Sequence, residues 1–282
     1  MLLIFGAVLM DLTVEKLAHM IDHTELKPEA KREKIKQLCE EALTYKFAAV
    51  CINASHVEYA AELLKGSDVK VCCVIGFPLG ATLSEVKAYE VKEVVRLGAQ
   101  EVDMVMNIGA LRDKNYDLVK TDIEAVVEAA GDAHTKVILE TGFLNDDEKR
   151  KACLLAKEAG AHFVKTSTGF GPMGATPYDV RLMRETVGPD MGVKAAGGIR
   201  SFKDALQMIE AGADRLGCSS SVAVVEDFRW AQYSDVWMQH DKPCWTCPSR
   251  QANLAKQPKE VYLYYKQRCL DCPDRDQNIF ND

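Results

Sequence analysis

Long apolar runs are missing from this 282-residue chain. No stretch approaches the roughly 20 apolar residues that a membrane-spanning helix requires, so no span is expected. Positive charge is also in deficit. The formal net charge is −7, which argues against broad electrostatic binding of nucleic acid or of an anionic membrane. The start, MLLIFGAVLM, is apolar but short. It has no basic leading segment and no clear small-residue cleavage site, so it is not read as a signal peptide. Residues 1–11 are expected to be an N-terminal extension, because Met10 precedes a better-formed helix start. No G-x-x-x-x-G-K-[ST] occurs, so a nucleoside triphosphatase is not indicated. No G-x-G-x-x-G turn follows the first strand-like run, which weakens an open, doubly wound sheet.

What is present is an apolar content of 48 %, enough for a sizeable core. Of ten cysteines, Cys39, Cys51, Cys72, Cys73, Cys153 and Cys218 lie mostly in apolar runs. They read as small core residues in a reducing, cytoplasmic setting. Strand-like runs fall at 21–24, 48–53, 70–78, 101–109 and 136–142, and, counted together with the turns that end them, at 163–169, 193–198 and 215–220. They alternate with helix-like stretches at 13–21, 30–45, 55–65, 82–97, 114–130, 145–159, 177–187 and 201–211. Continuous apolar strands are buried on both faces, as in parallel sheets. The pattern predicts an α/β fold: a (β/α)8 TIM barrel over 12–226, with an additional C-terminal cysteine-containing tail over 227–282.

Two of the strands carry a lysine inside the apolar run. FVKTSTG at 163–169 contains Lys165, and VKAAGG at 193–198 contains Lys194. Burying an ammonium is costly, so such a lysine is paired, neutral or reactive. Equivalent places on consecutive strands face the same interior. Like charges so close disfavour double ionisation, and one amine is expected to give up its proton. A neutral lysine amine attacks carbonyl carbon, the first step of Schiff-base chemistry. The alternative is two lysines snorkelling to solvent at strand ends.

In such barrels the active site lies at the carboxyl ends of the strands. Asp22, Asn53, Asp103, Asn107, Glu140, Lys165, Thr168 and Lys194 all fall in or just past strands. Asp103 reads equally as a structural hydrogen-bond hub, and Glu140 as a structural partner for a lysine. The turns 166–169, 196–200 and 217–220 offer backbone N–H groups, hydroxyls and glycines, which suit a phosphate in the last loops of the barrel. A phosphorylated substrate is expected.

Seven stretches together carry a resemblance. They are IDHTELKPEA at 21–30, KVCCVIGFPLGA at 70–81, EVDMVMNIGAL at 101–111, KVILETG at 136–142, FVKTSTGFGP at 163–172, GVKAAGGIR at 192–200 and RLGCSSS at 215–221. The sequence resembles the deoxyribose-phosphate aldolase family over roughly residues 12–226. These are class I aldolases that interconvert 2-deoxyribose 5-phosphate with glyceraldehyde 3-phosphate and acetaldehyde, in deoxynucleoside catabolism. Position by position, the resemblance implies that Lys165 is the Schiff-base lysine. It makes Lys194 the second lysine that holds the nucleophile deprotonated, and Asp103 the acid of the proton relay. Gly169, Gly197, Gly198, Gly217, Ser219 and Ser220 match the phosphate site, and Asp22, Thr24, Cys51 and Thr168 match the substrate pocket. No catalytic cofactor is implied. Glu25, Ala54 and Met173 depart from the family pattern, and none removes a catalytic group. Implied partners are the small phosphorylated sugar and aldehydes, with no nucleic acid and no membrane. Self-association as a homo-oligomer is left open. A non-catalytic sugar-phosphate sensor and a Schiff-base aldolase for another phosphorylated carbonyl compound are the rival readings.

The tail lies outside the resemblance. Cys244 and Cys247 form one C-x-x-C pair, and Cys269 and Cys272 form a second, 21 residues on. That gap is one beyond the usual spacing of a four-cysteine zinc site. Structural zinc, free cysteines, redox pairs and a fused or frameshifted segment are the readings. Tyr262, Tyr264 and Tyr265 are candidates to cover the pocket, with no motif to choose between them.

Overall fold

The eight apolar runs become eight parallel strands that close on themselves. A computed structural model describes residues 12–233. The strands are β1 (Ile21–Glu25), β2 (Ala49–Ile52), β3 (Lys70–Ile75), β4 (Glu101–Val105), β5 (His134–Ile138), β6 (Phe163–Lys165), β7 (Gly192–Ala196) and β8 (Arg215–Cys218). Each pairs with the next, and β1 pairs with β8. This closure excludes the open doubly wound sheet.

Helices fill the connections: α1 (Val14–His19), α2 (Arg32–Tyr45), α3 (Val57–Leu63), α4 (Ser84–Arg96), α5 (Ile108–Arg112), α6 (Tyr116–Ala130), α7 (Asp146–Glu158), α8 (Pro177–Val187), α9 (Phe202–Glu210) and α10 (Ser221–Tyr233). Their starts are written in the sequence. Asn145 and Glu148 form a reciprocal capping box on α7, and Ser201 and Asp204 form one on α9. Thr176 caps α8, with Pro177 at the first position, where a missing N–H costs nothing.

Side chains alternate between the barrel interior and the helix layer. Val50, Val71, Val102, Val137, Val164, Val193 and Leu216 are buried, and the period of two directs them toward the helices. Each such burial contributes about 1.5–3 kcal/mol. The interior is divided. Ala49, Cys51, Cys72 and Val74 form an apolar cluster with Leu26, flanked by Phe77. The remaining strands bring charge inward.

Two segments differ from the sequence expectation. The run 101–109 leaves the strand after Val105, because the Asn107 side chain accepts from Ala110 N at 3.0 Å and starts α5. The run 136–142 leaves the strand after Ile138. Glu140 takes a left-handed backbone (φ 54°) and leads into a single 3₁₀ turn, Thr141–Phe143. The chain divides into two units, Met1–Val224 and Val225–Asp282. The barrel lies in the first, and residues 225–233 continue α10. Among the described residues no helix is long and apolar enough to cross a membrane.

Candidate active site

Register sets the site. Lys165 and Lys194 are direct partners across β6 and β7, and Asp103 pairs with Lys136 across β4 and β5. Lys165 Nζ and Lys194 Nζ each lie 2.7 Å from Asp103 Oδ2. Lys194 Nζ also donates to Asp22 Oδ2, and Arg215 reaches Asp22 Oδ1 at 2.6 Å. All three lysines are buried, Lys194 and Lys136 completely and Lys165 to 3 % exposure. All three amines are tied to buried carboxylates, so snorkelling to solvent does not describe them.

Sequence reasoning missed Lys136. Its Nζ lies 2.5 Å from Glu101 Oε2, 2.8 Å from Asp103 Oδ1, 3.4 Å from Cys72 Sγ and 3.8 Å from Asp22 Oδ2. The acceptors Asp22, Cys72 and Glu101 converge within 4.8 Å, a spacing that suits a cation. The ammonium of Lys136 is within contact distance of all of them. Arg215 was also missed; it bridges Asp22 and Glu101 from below. Cys72, read as a plain core residue, donates from Sγ to Asp103 Oδ1 at 3.1 Å. The available signal was one of face. Lys136, Asp103 and Glu101 share the inward parity of their strands.

Electrostatics follow from this packing. Burial alone would raise the Asp103 carboxyl, but Lys136, Lys165 and Lys194 overcome it and hold the group well below the usual carboxylate range. Asp22 is depressed in the same way, burial being outweighed by Lys194, Lys136 and Arg215. Burial would lower Lys194, but Asp103 and Asp22 raise it above the ordinary lysine value. Lys136 is raised likewise, by Asp103, Cys72 and Glu101 against burial.

The other sequence candidates take distinct places. Thr24 donates from its hydroxyl to the Asp22 carbonyl at 2.8 Å and is half-buried. Cys51 is fully buried in the apolar half of the interior. Thr168 donates from both its hydroxyl and its N–H to Glu140 Oε2. Glu140 therefore meets a threonine, and among the described residues no lysine takes the place of the expected partner. Asn53 donates to the Leu26 carbonyl at 3.2 Å, and Asn107 is a helix cap. Met173 is exposed and packs beside Gly142. Glu25 accepts from Lys27 N at 3.1 Å.

The glycines of the last turns are needed sterically at two points. Gly197 has φ +90°, and a Cβ there would meet Gly174 Cα at 3.0 Å. A Cβ at Gly217 would sit 2.9 Å from Ala196 Cβ and 3.2 Å from Lys194 Cε. Gly169 and Gly198 also have positive φ and open space where a side chain would be. Ser219 is exposed and Ser220 half-buried, immediately before α10. Cys244, Cys247, Cys269 and Cys272 lie outside the described residues, as do Tyr262, Tyr264 and Tyr265.

A family model described as DeoC/LacD family aldolase matches residues 5–224. The chain belongs to the DeoC/LacD aldolase family. A deoxyribose-phosphate aldolase of Clostridium perfringens (strain SM101 / Type A) is 63 % identical over 213 residues, covering 75 % of this chain and 95 % of the relative. The crystal structure of a putative deoxyribose-phosphate aldolase from Coccidioides immitis superposes with a TM-score of 0.75 at 44 % identity, over 77 % of this chain and 87 % of that one. The aldolase from Aeropyrum pernix, described as a unique tetrameric structure, gives 0.75 at 37 % identity, over 80 % and 97 %. Membership of the DeoC/LacD family makes the chain an enzyme, a carbon–carbon lyase.

Proposed function

We propose that the protein cleaves 2-deoxy-D-ribose 5-phosphate reversibly to D-glyceraldehyde 3-phosphate and acetaldehyde, through a Schiff base on Lys165. The observation that carries this is a charge imbalance. Lys136, Lys165, Lys194 and Arg215, four cations, face three carboxylates, those of Asp22, Glu101 and Asp103. Removing one proton balances the cluster. Lys136, Lys194 and Arg215 each touch two carboxylates or more, whereas Lys165 touches Asp103 alone, on an oxygen it shares. Lys165 is thus the lysine of the cluster held by the fewest carboxylates, and its amine is assigned as the nucleophile.

The amine adds to the substrate aldehyde, forming a C–N bond, and loss of water gives an iminium. The iminium accepts the electron pair of the breaking C–C bond, and glyceraldehyde 3-phosphate leaves. Protonation of the enamine and hydrolysis then release acetaldehyde and free Lys165. Asp103, with a water, moves the protons. The iminium is itself the electron sink, so no Lewis acid is required. The substrate phosphate is assigned to Gly169, Gly197, Gly198, Gly217, Ser219 and Ser220, where it orients the sugar. Asp22, Thr24, Cys51 and Thr168 line the sugar's path.

Borohydride trapping tests this reading. With 2-deoxyribose 5-phosphate present, reduction is expected to leave one stable adduct on Lys165. A sugar-phosphate sensor would gain none, and an aldolase for another substrate would leave 2-deoxyribose 5-phosphate uncleaved. For the tail, the zinc reading rests on cysteine spacing. It calls for about one zinc per chain, with cleavage that survives a chelator.

A further inference from the structure

His23, Glu41 and Ser221 form a polar chain that the aldol chemistry leaves unused. His23 lies in β1 between Asp22 and Thr24, so the period of two sends its ring outward, away from the lysines. There Nε2 lies 2.6 Å from Glu41 Oε2 on α2, and Nδ1 lies 2.9 Å from Ser221 Oγ at the start of α10. The chain extends at both ends. Gln37 donates to Glu41 Oε1 at 2.7 Å, and Ser221 Oγ lies 2.9 Å from the Cys218 carbonyl. His23 is 3 % exposed and Ser221 fully buried, and the ring packs against Phe47 with centroids 5.1 Å apart.

The protons can be placed. A carboxylate only accepts, so Nε2 carries hydrogen toward Glu41. Burial pushes His23 below its ordinary value, so the ring is neutral near pH 7. Nδ1 then holds a lone pair for the single proton of the Ser221 hydroxyl, for which the Cys218 carbonyl, 2.9 Å from Oγ, is the competing acceptor. Buried groups of this kind keep their partners, because an orphaned one is costly.

The position of this chain is informative. Cys218 and Ser221 bracket Ser219 and Ser220, the hydroxyl residues of the phosphate turn. Ser219 is exposed and Ser220 half-buried, so neither is fixed by deep packing. A cleft of about 180 Å³ opens beside them, lined among others by His23, Thr24, Lys34 and Glu41. We propose that His23, held by Glu41, is a positioning residue that fixes the turn from Cys218 to Ser221 through Ser221, and so sets affinity for the substrate phosphate. This rests on the phosphate assignment above. It gives the outer face of β1 a role in substrate binding without contact with the reacting atoms.

The test compares the parent enzyme with Ser221→Ala, Glu41→Ala and Glu41→Gln, on 2-deoxyribose 5-phosphate and on 2-deoxyribose, with Tm recorded for each. The parent is expected to prefer the phosphorylated sugar. Ser221→Ala and Glu41→Ala are expected to raise KM for it about tenfold, the factor that one lost hydrogen bond of about 1.4 kcal/mol represents. Their kcat should stay within about twofold, and kcat/KM for 2-deoxyribose should hold. Glu41→Gln, whose amide oxygen still accepts from Nε2, should restore the parent KM. Equal losses on both sugars, or parent-like KM in both alanine variants, overturn the positioning role. If Ser221→Ala does not fold, the two Glu41 variants decide. A parent with no preference for the phosphorylated sugar removes the phosphate assignment, and the positioning role with it. A preference kept intact by every variant removes the positioning role alone.

Discussion

Lys165 and Lys194 donate to the same oxygen, Asp103 Oδ2, each at 2.7 Å. The two amines are direct neighbours in the β6–β7 register and still differ in surroundings, because only Lys194 has Asp22 as a second partner. That asymmetry separates a candidate nucleophile from a fixed charge.

Lys165→Ala is expected to lower turnover by about 10⁴-fold or more, since it removes the proposed nucleophile. Asp103 keeps Lys136 and Lys194, so the barrel should remain folded. Turnover and circular dichroism check the two halves. Substantial residual cleavage sinks the Schiff-base assignment.

Lys136→Met is expected to destabilise the barrel by about 3–5 kcal/mol, because Glu101 and Asp103 lose a buried partner. Adding Glu101→Leu should recover much of that loss, since an apolar pair removes an uncompensated charge. Urea unfolding of the single and double variants reads this directly. If the double variant is no better than the single, the Lys136–Glu101 pairing is not what holds this part of the interior.

Stability should depend on pH at both extremes. Asp22 and Asp103 have folded-state values depressed below those of the unfolded chain. Their contribution is present above about pH 4, the ordinary Asp value, and is lost as pH falls toward their folded values. Lys136 and Lys194 are raised. Their contribution is present below about pH 10.4, the ordinary lysine value, and is lost as pH rises toward their folded values. A plateau in Tm between these limits, with a fall on each side, is expected. In Asp103→Asn the acid-side fall should shrink. An unchanged acid limb would show that Asp103 does not contribute to it.

Thr168→Val should cost about 1–3 kcal/mol, because the Glu140 carboxylate loses its hydroxyl donor in a buried place. Glu140 Oε1 already lacks a protein partner. Thr168→Ser, which keeps the hydroxyl, should behave like the parent. Thermal unfolding of the pair distinguishes a hydrogen-bond effect from one of shape.

The strands were legible because parallel, doubly covered strands need unbroken apolar runs, and lysines inside such runs stand out. Lys165 and Lys194 follow apolar residues within their strands. Lys136 begins a visible apolar run, KVIL, and so looks like a strand-entry lysine at the surface. Its inward direction depends on pairing with Asp103, which lies 33 positions earlier. Asn107 was misread for a local reason. A side-chain cap competes with strand extension, and the apolar pattern of 101–109 does not reveal which prevails. Glu140 was legible as a polar residue just past a strand but its partner was not, because the contact with Thr168 crosses from one strand end to the next.

Asp22 meets Lys194 across 172 positions and Arg215 across 193, at the seam where β1 joins β8. During translation, one carboxylate of the lysine cluster is thus made early and its counter-charges come late. A nascent chain carries Lys165 before Arg215 exists, so it holds the amine without the ring of charges around it. Contacts so distant in sequence form only when the whole barrel condenses. A chain cut before β8 is therefore expected to be inert in the proposed aldol cleavage, however well its first seven strands pack.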